Sequence, residues 1–403
     1  MASRTAFAGV AKTILPLGVR LSVSALRAGV AIGVSIRASD EVAAGYFTAA
    51  RGSALLAVLA GLGAYQAVAR RVGDAPASEA AWGRWMIWSA GTRSLALGIG
   101  AGLLAAAGFI AELHPLQLAI LVMTEGVVAE VGRWQIATGR FARANALMLL
   151  RTSVWAVPML ANLVLSGTSQ QLAPWLNLWI FANIAVTVVG LAPDWRAISS
   201  TSQPEGHERK LATIEAWGLF GVTACVIAVE GLPVLLAQQL ATAELAALGL
   251  WLSLGGLMQT VYSSAVWERM LPRLPTLASS EAMRQTARQG FVWGAMAALG
   301  FVMGHGIIRF VSPNPVYAES IGAPLAILAA QVVWIIGQVP QAALFVERRD
   351  AASAIAAMLA AVVFVSISLI TPASLTSISL AYLAAHVSLA VLRWSALRLP
   401  GKT

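Results

Sequence analysis

The chain has 403 residues, of which 58% are hydrophobic and only 11% charged. A soluble domain carries about 25% charged residues, so this composition excludes one, and the long apolar runs indicate a polytopic membrane protein. The formal charge of +9 is not gathered into one patch, which argues against a nucleic-acid partner, and the single cysteine, Cys225, lies inside an apolar run, which excludes intrachain disulfides and cysteine metal sites.

A spanning helix needs about 20 apolar residues at about 1.5 Å rise each. In chain order, twelve are predicted, over roughly 14–36, 42–69, 85–110, 115–137, 143–165, 172–193, 213–238, 244–267, 289–311, 320–345, 351–371 and 375–396. The opening "MASRTAFAGVAKT" is basic like a signal peptide. The run after it is too long for one and contains Arg20 and Arg27, so it reads as a retained first span. The loops are short, and the longest polar stretch, "DWRAISSTSQPEGHERK" over 194–210, lies near mid-chain. Loop charge alternates. One set of loops holds Arg70, Arg71, Arg84, Arg133, Arg140, Arg143, Arg196, Arg209, Lys210, Arg284, Arg288, Arg348, Arg349, Arg393 and Arg398. The other holds Arg37, with Arg309 near a span end, against Asp40, Glu41, Glu112, Glu244 and Glu319. Lys and Arg mark the cytoplasmic side, so both termini are expected there.

The segment opening at Glu41, "EVAAGYFTAARGSALLAVLAGLGAYQAVAR", and that opening at Glu244, "ELAALGLWLSLGGLMQTVYSSAVWERMLPR", share a layout. Each begins with an acidic residue, runs through a glycine-containing apolar helix and ends on an arginine, 203 residues apart. Six spans, a polar linker and six more spans place both halves in one orientation. Such repeats are parallel, related by an axis along the membrane normal, with a substrate path between them. The expected organisation is an N-terminal six-helix lobe over 1–197, a cytoplasmic linker over 198–210 and a C-terminal six-helix lobe over 211–403.

Some charge falls within the spans: Arg20, Arg27, Arg51, Arg93, Arg151, Glu125, Glu130 and Glu230. A charged side chain at mid-bilayer costs about 2.5–3.5 kcal/mol even on the lenient insertion scale, so these residues are expected to face the protein interior or a watery cavity. Arg20, Ser24 and Arg27 share one helical face, and Gly29 and Gly33 permit a close neighbour. Arginine outnumbers glutamate, so the expected cavity is cationic and suits an anion whose oxygens match guanidinium geometry. Arg20, Arg93 and Arg151 are also placed to snorkel to the headgroups, whereas Arg27 and Arg51 are the hardest to explain that way. Glu125, Glu130 and Glu230 are read as coupling or charge-pairing groups. His305 and His386 read as locally satisfied, and the tryptophans, mostly near span ends, as interfacial anchors.

The stretch "ASDEVAAGYFTAARGSALLAVLAGLGAYQAVARR" over 38–71 resembles the first and second helices of Wzx-type polysaccharide flippases. "EVGRWQIATGRFARANALMLLRTSVWAVPML" over 130–160 is similar to their helix 4–5 hairpin, and "ATAELAALGLWLSL" over 241–254 to the matching turn in the second lobe. The resemblance implies an all-α integral membrane protein of the MOP exporter superfamily. It also implies about 12 transmembrane helices in two six-helix lobes related by pseudo-two-fold symmetry, like MATE drug exporters. It further implies an inner-membrane flippase moving polyprenyl-diphosphate-linked oligosaccharide by alternating access. Arg27 and Arg51 would hold the diphosphate–sugar head, and the partners would be the bilayer, the glycan lipid and a polysaccharide polymerase or glycosyltransferase. No cofactor is expected. All four aspartates (Asp40, Asp74, Asp194, Asp350) fall in loops, so the intramembrane aspartate of many cation-coupled MATE exporters has no counterpart. The alternatives are an exporter of another anionic amphiphile or drug, and a multi-span enzyme of polysaccharide assembly. The enzyme is disfavoured by short outer loops whose only histidine is His114.

Overall fold

Hydrocarbon offers no hydrogen-bond partner, so an apolar chain in a bilayer must satisfy its backbone within each segment, as a helix does. The computed structural model follows this rule. It describes residues 2–61, 63–74, 78–108, 110, 113–165, 171–217, 240–267, 270, 274, 277–312 and 315–398, with side chains from Gly18 on except Arg70, Gly73, Asp74 and Ser264. The helices of the first half are α1 (Ala2–Arg37), α2 (Asp40–Gly61), α3 (Ala64–Asp74), α4 (Glu79–Ala106), α5 (Pro115–Ala137), α6 (Phe141–Leu165), α7 (Ala173–Leu191), α8 (Trp195–Ser200) and α9 (206–217). In the second half come α10 (Thr242–Tyr262) with a π turn over Ser263–Trp267, α11 (Ser279–Val311), α12 (Pro315–Glu319), α13 (Gly322–Val346), α14 (Asp350–Ile370) and α15 (Leu375–Arg398). There is no strand among the described residues.

Ten of these segments are long and apolar enough to cross a membrane among the described residues. The 28-residue α4 is long enough as well, though Arg84 and Arg93 dilute its apolar character. Beyond residue 217 the span expected over 213–238, with Glu230 and Cys225, lies outside the described residues. The bundle has a basic end, where Arg71, Arg84, Arg140 and Arg143 lie, and an acidic end with Asp40, Glu41, Glu244 and Glu319. At the basic end, Arg140 pairs with Glu79 at 2.6 Å and with Asp194 at 2.7 Å, Arg143 with Asp194 at 3.1 Å, and Arg71 with Glu215 at 2.6 Å. These pairs tie helix ends together, although each part-exposed pair contributes at most about 1 kcal/mol.

The span predicted over 42–69 is two helices. The chain breaks between Gly61 and Ala64, with Gly63 at φ 68°. Hydropathy runs unbroken through "LAGLGAY" and cannot register a backbone angle. The carbonyl of Ala60, in the last turn of α2, is one of those a helix end leaves without an intrahelical donor. It accepts Nε–H of Arg93 at 2.5 Å. A left-handed angle costs a residue with a Cβ roughly 1–2 kcal/mol. Gly63→Ala should therefore lower the detergent-solubilised melting temperature by a few degrees, whereas alanine at Gly52, where nothing lies within 4 Å of an added Cβ, should not.

Without a hydrophobic force between helices in lipid, small residues set the packing. On α1, a Cβ at Gly29 would stand 3.5 Å from Leu160 and one at Gly33 would stand 3.2 Å from Leu163, so these glycines seat α1 on α6. Helices α5 and α7 pack against α6, α4 packs against α5 and α2, and α11, α13, α14 and α15 pack together in the second half. Across the halves, α10 packs against both α1 and α2. The two helices matched by the internal repeat, α2 and α10, are thus direct neighbours, as equivalent elements beside a two-fold axis are.

Candidate functional site

Charge collects at mid-depth in the first half. Glu125 of α5 and Arg151 of α6, 7% and 9% exposed, form a buried ion pair. Arg151 Nε donates to Asn183 Oδ1 of α7 at 2.7 Å, and Asn183 Nδ2 donates to Glu125 at 2.9 Å and to Thr124 Oγ1 at 3.2 Å. Arg151 was expected near the basic surface, able to snorkel. It is instead locked at mid-depth, because a carboxylate and an amide meet it there.

Arg27 of α1 lies within electrostatic reach of Arg151, Glu125 and Tyr46. Its buried Nε has no acceptor, and it forms no ion pair among the described residues. Among the described residues, two guanidinium groups thus share one carboxylate, leaving one positive charge in excess. Arg51 of α2 also lies within electrostatic reach of Tyr46. Its guanidinium rests on α10: a Cβ at Gly256 would stand 3.1 Å from both terminal nitrogens. Arg51 therefore bridges the two halves of the chain, and the missing side chain at Gly256 makes room for it.

The other candidates lie apart. Arg20 does not snorkel: it is 7% exposed, and its Nε donates to Asn145 Oδ1 at 2.5 Å. Arg93 is held by the Ala60 carbonyl and by Ser89 Oγ at 3.3 Å. Glu130 is buried, paired with Arg133 and within reach of Arg93. Glu230 lies outside the described residues. The structure thus links Arg27, Arg51 and Arg151 through Tyr46 and Glu125, and leaves Arg20, Arg93 and Glu130 nearer the basic end.

Sequence reasoning missed three features. Trp155 and Trp179 are not interfacial anchors; they are buried and stacked at 4.7 Å, with Tyr46 6.4 Å from Trp179. The signal was present, since Trp155 follows Arg151 by four residues and Trp179 precedes Asn183 by four, each on one helical face. Arg393, expected in the C-terminal basic loop, is 2% exposed inside α15 and donates to the Gly337 carbonyl at 3.2 Å. An apolar groove of about 270 Å³ also runs between α1, α10 and α11, lined by Leu21, Ser24, Met258 and Phe301. Along α1 it runs from Leu21 to Ile32, past the level of Arg27, which is not among its lining residues.

The halves meet tightly towards the acidic end. Ser312 Oγ donates to the Ser35 carbonyl at 3.3 Å, and Phe47 fills the space over Gly249, where a Cβ would lie 2.5 Å from the Phe47 Cβ. Towards the basic end a cleft of about 200 Å³ opens between α2, α3, α5 and the π turn. Gly249→Ala should therefore force the acidic end apart. In a Cys225→Ser background, a cysteine introduced by Ser35→Cys should react faster with an impermeant thiol reagent when Gly249→Ala is added. An unchanged rate would show that Phe47 simply moves aside.

No family model and no curated protein matches the sequence. Solved structures do. An outward-facing multidrug resistance MATE family transporter of the MOP superfamily aligns over 96% of this chain and 95% of its own, at 13% identity and TM-score 0.54. The chain has the MATE fold. An inward-facing MATE transporter of that superfamily matches over 95% and 98%, at 15% identity and TM-score 0.53, and a MATE in its bent conformation over 96% and 94%, at 16% identity and TM-score 0.54. The near-equal likeness to opposite conformations leaves the state to be read from the contacts above. In this MATE fold the Phe47–Gly249 seam packs the two halves together towards the acidic end.

Proposed function

We propose that this chain is an inner-membrane flippase that moves a polyprenyl-diphosphate-linked oligosaccharide by alternating access, for surface polysaccharide assembly. The observation that carries the reading is Arg27, a guanidinium at mid-depth whose neighbouring carboxylate is already engaged by Arg151 and Asn183. A diphosphate supplies the anionic, bidentate acceptor it lacks. The groove that runs along the same helix from Leu21 to Ile32 suits an apolar tail, so head and tail sites adjoin as an amphiphile requires. In this reading the lobes over 1–197 and 211–403, joined by 198–210, rock against each other at the α2–α10 contact. The basic end with both termini faces the cytoplasm, so the present state receives substrate from inside. The membrane potential, worth about 2.3 kcal/mol per charge per 100 mV, assists release of an anion outside. The partners are the glycan lipid, the bilayer and a polysaccharide polymerase or glycosyltransferase.

A second reading, a MATE-like exporter, is favoured by the multidrug resistance assignment of a structure with this fold. The excess positive charge beside Arg27 repels cationic drugs, so that reading requires an anionic one. Proteoliposomes separate the two. The flippase should move a fluorescent polyprenyl-diphosphate saccharide between leaflets and leave ethidium in place. Ethidium transport without lipid movement would replace the first reading with the second.

A further inference from the structure

The cleft at the basic end differs from the mid-depth cluster in both charge and chemistry. Tyr65 and Gln66 reach it from the start of α3, Glu130 and Arg133 from α5, and Ser263 and Trp267 from the π turn of the second half. Glu130 and Arg133 are paired with each other, so they present a carboxylate and a guanidinium fixed side by side. Oε2 of Glu130, in a residue 1% exposed, is buried with no donor among the described residues. Trp267 is steadied edge-on by Phe345 at 6.0 Å, and Gln66 follows the left-handed Gly63 by three residues.

This lining selects by elimination. Arg133 is engaged by Glu130, and Arg93 by the Ala60 carbonyl and Ser89, so a phosphate finds no unengaged guanidinium here of the kind Arg27 offers. A cation is repelled by Arg133 and by Arg93, which lies within reach of Glu130. A neutral polyol meets neither objection. Planar side chains such as Gln66 and the Glu130–Arg133 pair grip neighbouring hydroxyls two at a time, and the C–H face of a sugar ring stacks on an aromatic ring such as Trp267 or Tyr65. The cleft, at about 200 Å³, falls below the roughly 300–1,000 Å³ of drug-sized sites, so it takes one ring rather than a whole oligosaccharide.

We propose that the cleft formed by Tyr65, Gln66, Glu130, Arg133, Ser263 and Trp267 is a saccharide site that binds a sugar ring of the cargo headgroup at the basic mouth of the transporter. The inference rests on the flippase reading and adds to it: the arginines hold the diphosphate, and this cleft reads the glycan. Because both halves of the chain contribute, a bound ring also bridges them.

The test uses the full chain in nanodiscs and two probes, undecaprenyl diphosphate and undecaprenyl-diphosphate-linked N-acetylglucosamine. The wild type should bind the glycosylated lipid about tenfold more tightly than the bare one. Trp267→Ala and Gln66→Ala should each reduce that preference below twofold and leave the bare lipid's affinity unchanged. Trp267→Phe, which keeps an aromatic face against Phe345, should retain most of it. Equal binding of the two lipids by the wild type overturns the saccharide site alone, as does a preference that survives both alanine variants. Failure of the wild type to bind either lipid overturns the flippase reading itself.

Discussion

Glu125→Ala should lower the stability of the protein by about 3–5 kcal/mol, the usual cost of removing one partner of a buried ion pair. Among the described residues, Arg151 would remain buried at mid-depth with only Asn183 to meet it, and Arg27 would lose the one carboxylate in its electrostatic neighbourhood. Against a typical total of about 5–15 kcal/mol, such a loss should be visible as a steep drop in yield and in melting temperature after detergent extraction. The double variant Glu125→Leu/Arg151→Met should recover much of the stability, because replacing a buried pair with apolar side chains is often neutral or favourable. If Glu125→Ala melts like the wild type, the mid-depth cluster is already hydrated, and the excess charge assigned to Arg27 is screened.

Arg27→Ala should leave folding intact and weaken lipid-diphosphate binding by about one to two orders of magnitude, the effect expected when a charge-assisted hydrogen bond of about 1.5–3 kcal/mol is lost. The contrast with Glu125 follows from the contacts. Removing Arg27 relieves an unmatched positive charge, whereas removing Glu125 creates one. Arg51→Ala should also reduce transport, but by a mixed route, since its guanidinium rests on Gly256 of α10 and so contributes to the contact between halves. Lys at position 27 keeps the charge without the fork and should recover only part of the binding. Melting temperature and lipid binding measured on the same preparations separate the two roles. Full transport by the Arg27→Ala/Arg51→Ala chain would remove both residues from the binding site.

The fold was legible because its signal is one-dimensional. Apolar length and loop charge are properties of consecutive residues, and they located ten spans that the structure contains. The break at Gly63 was not legible, since a left-handed backbone angle leaves hydropathy unchanged. The candidate site was legible only in part. Residue type and depth singled out Arg27, Arg51 and Arg151. Which of them is neutralised depends on Glu125 and Asn183, on two other helices, and no spacing within one helix reports that. Arg393 was missed because it lies five residues from the end of α15, in a stretch that reads as a basic tail. Its place seven residues after the buried His386, on the same helical face, was the available clue.

The interruption in the second span has a mechanical meaning. A bundle that opens at one mouth while staying shut at the other must bend somewhere. In hydrocarbon, bending a helix normally bares a carbonyl at a cost of several kcal/mol. Here the Ala60 oxygen is already held by the Arg93 guanidinium from α4, so α2 and α3 are free to change their mutual angle without stranding a backbone dipole in oil. The upper segment stays pinned to α10 by Phe47, and the lower one lies against α4 and α5. The upper segment is thereby fastened to α10 as well as to α4 and α5, which both segments share, with an elbow between them whose carbonyl is already paired.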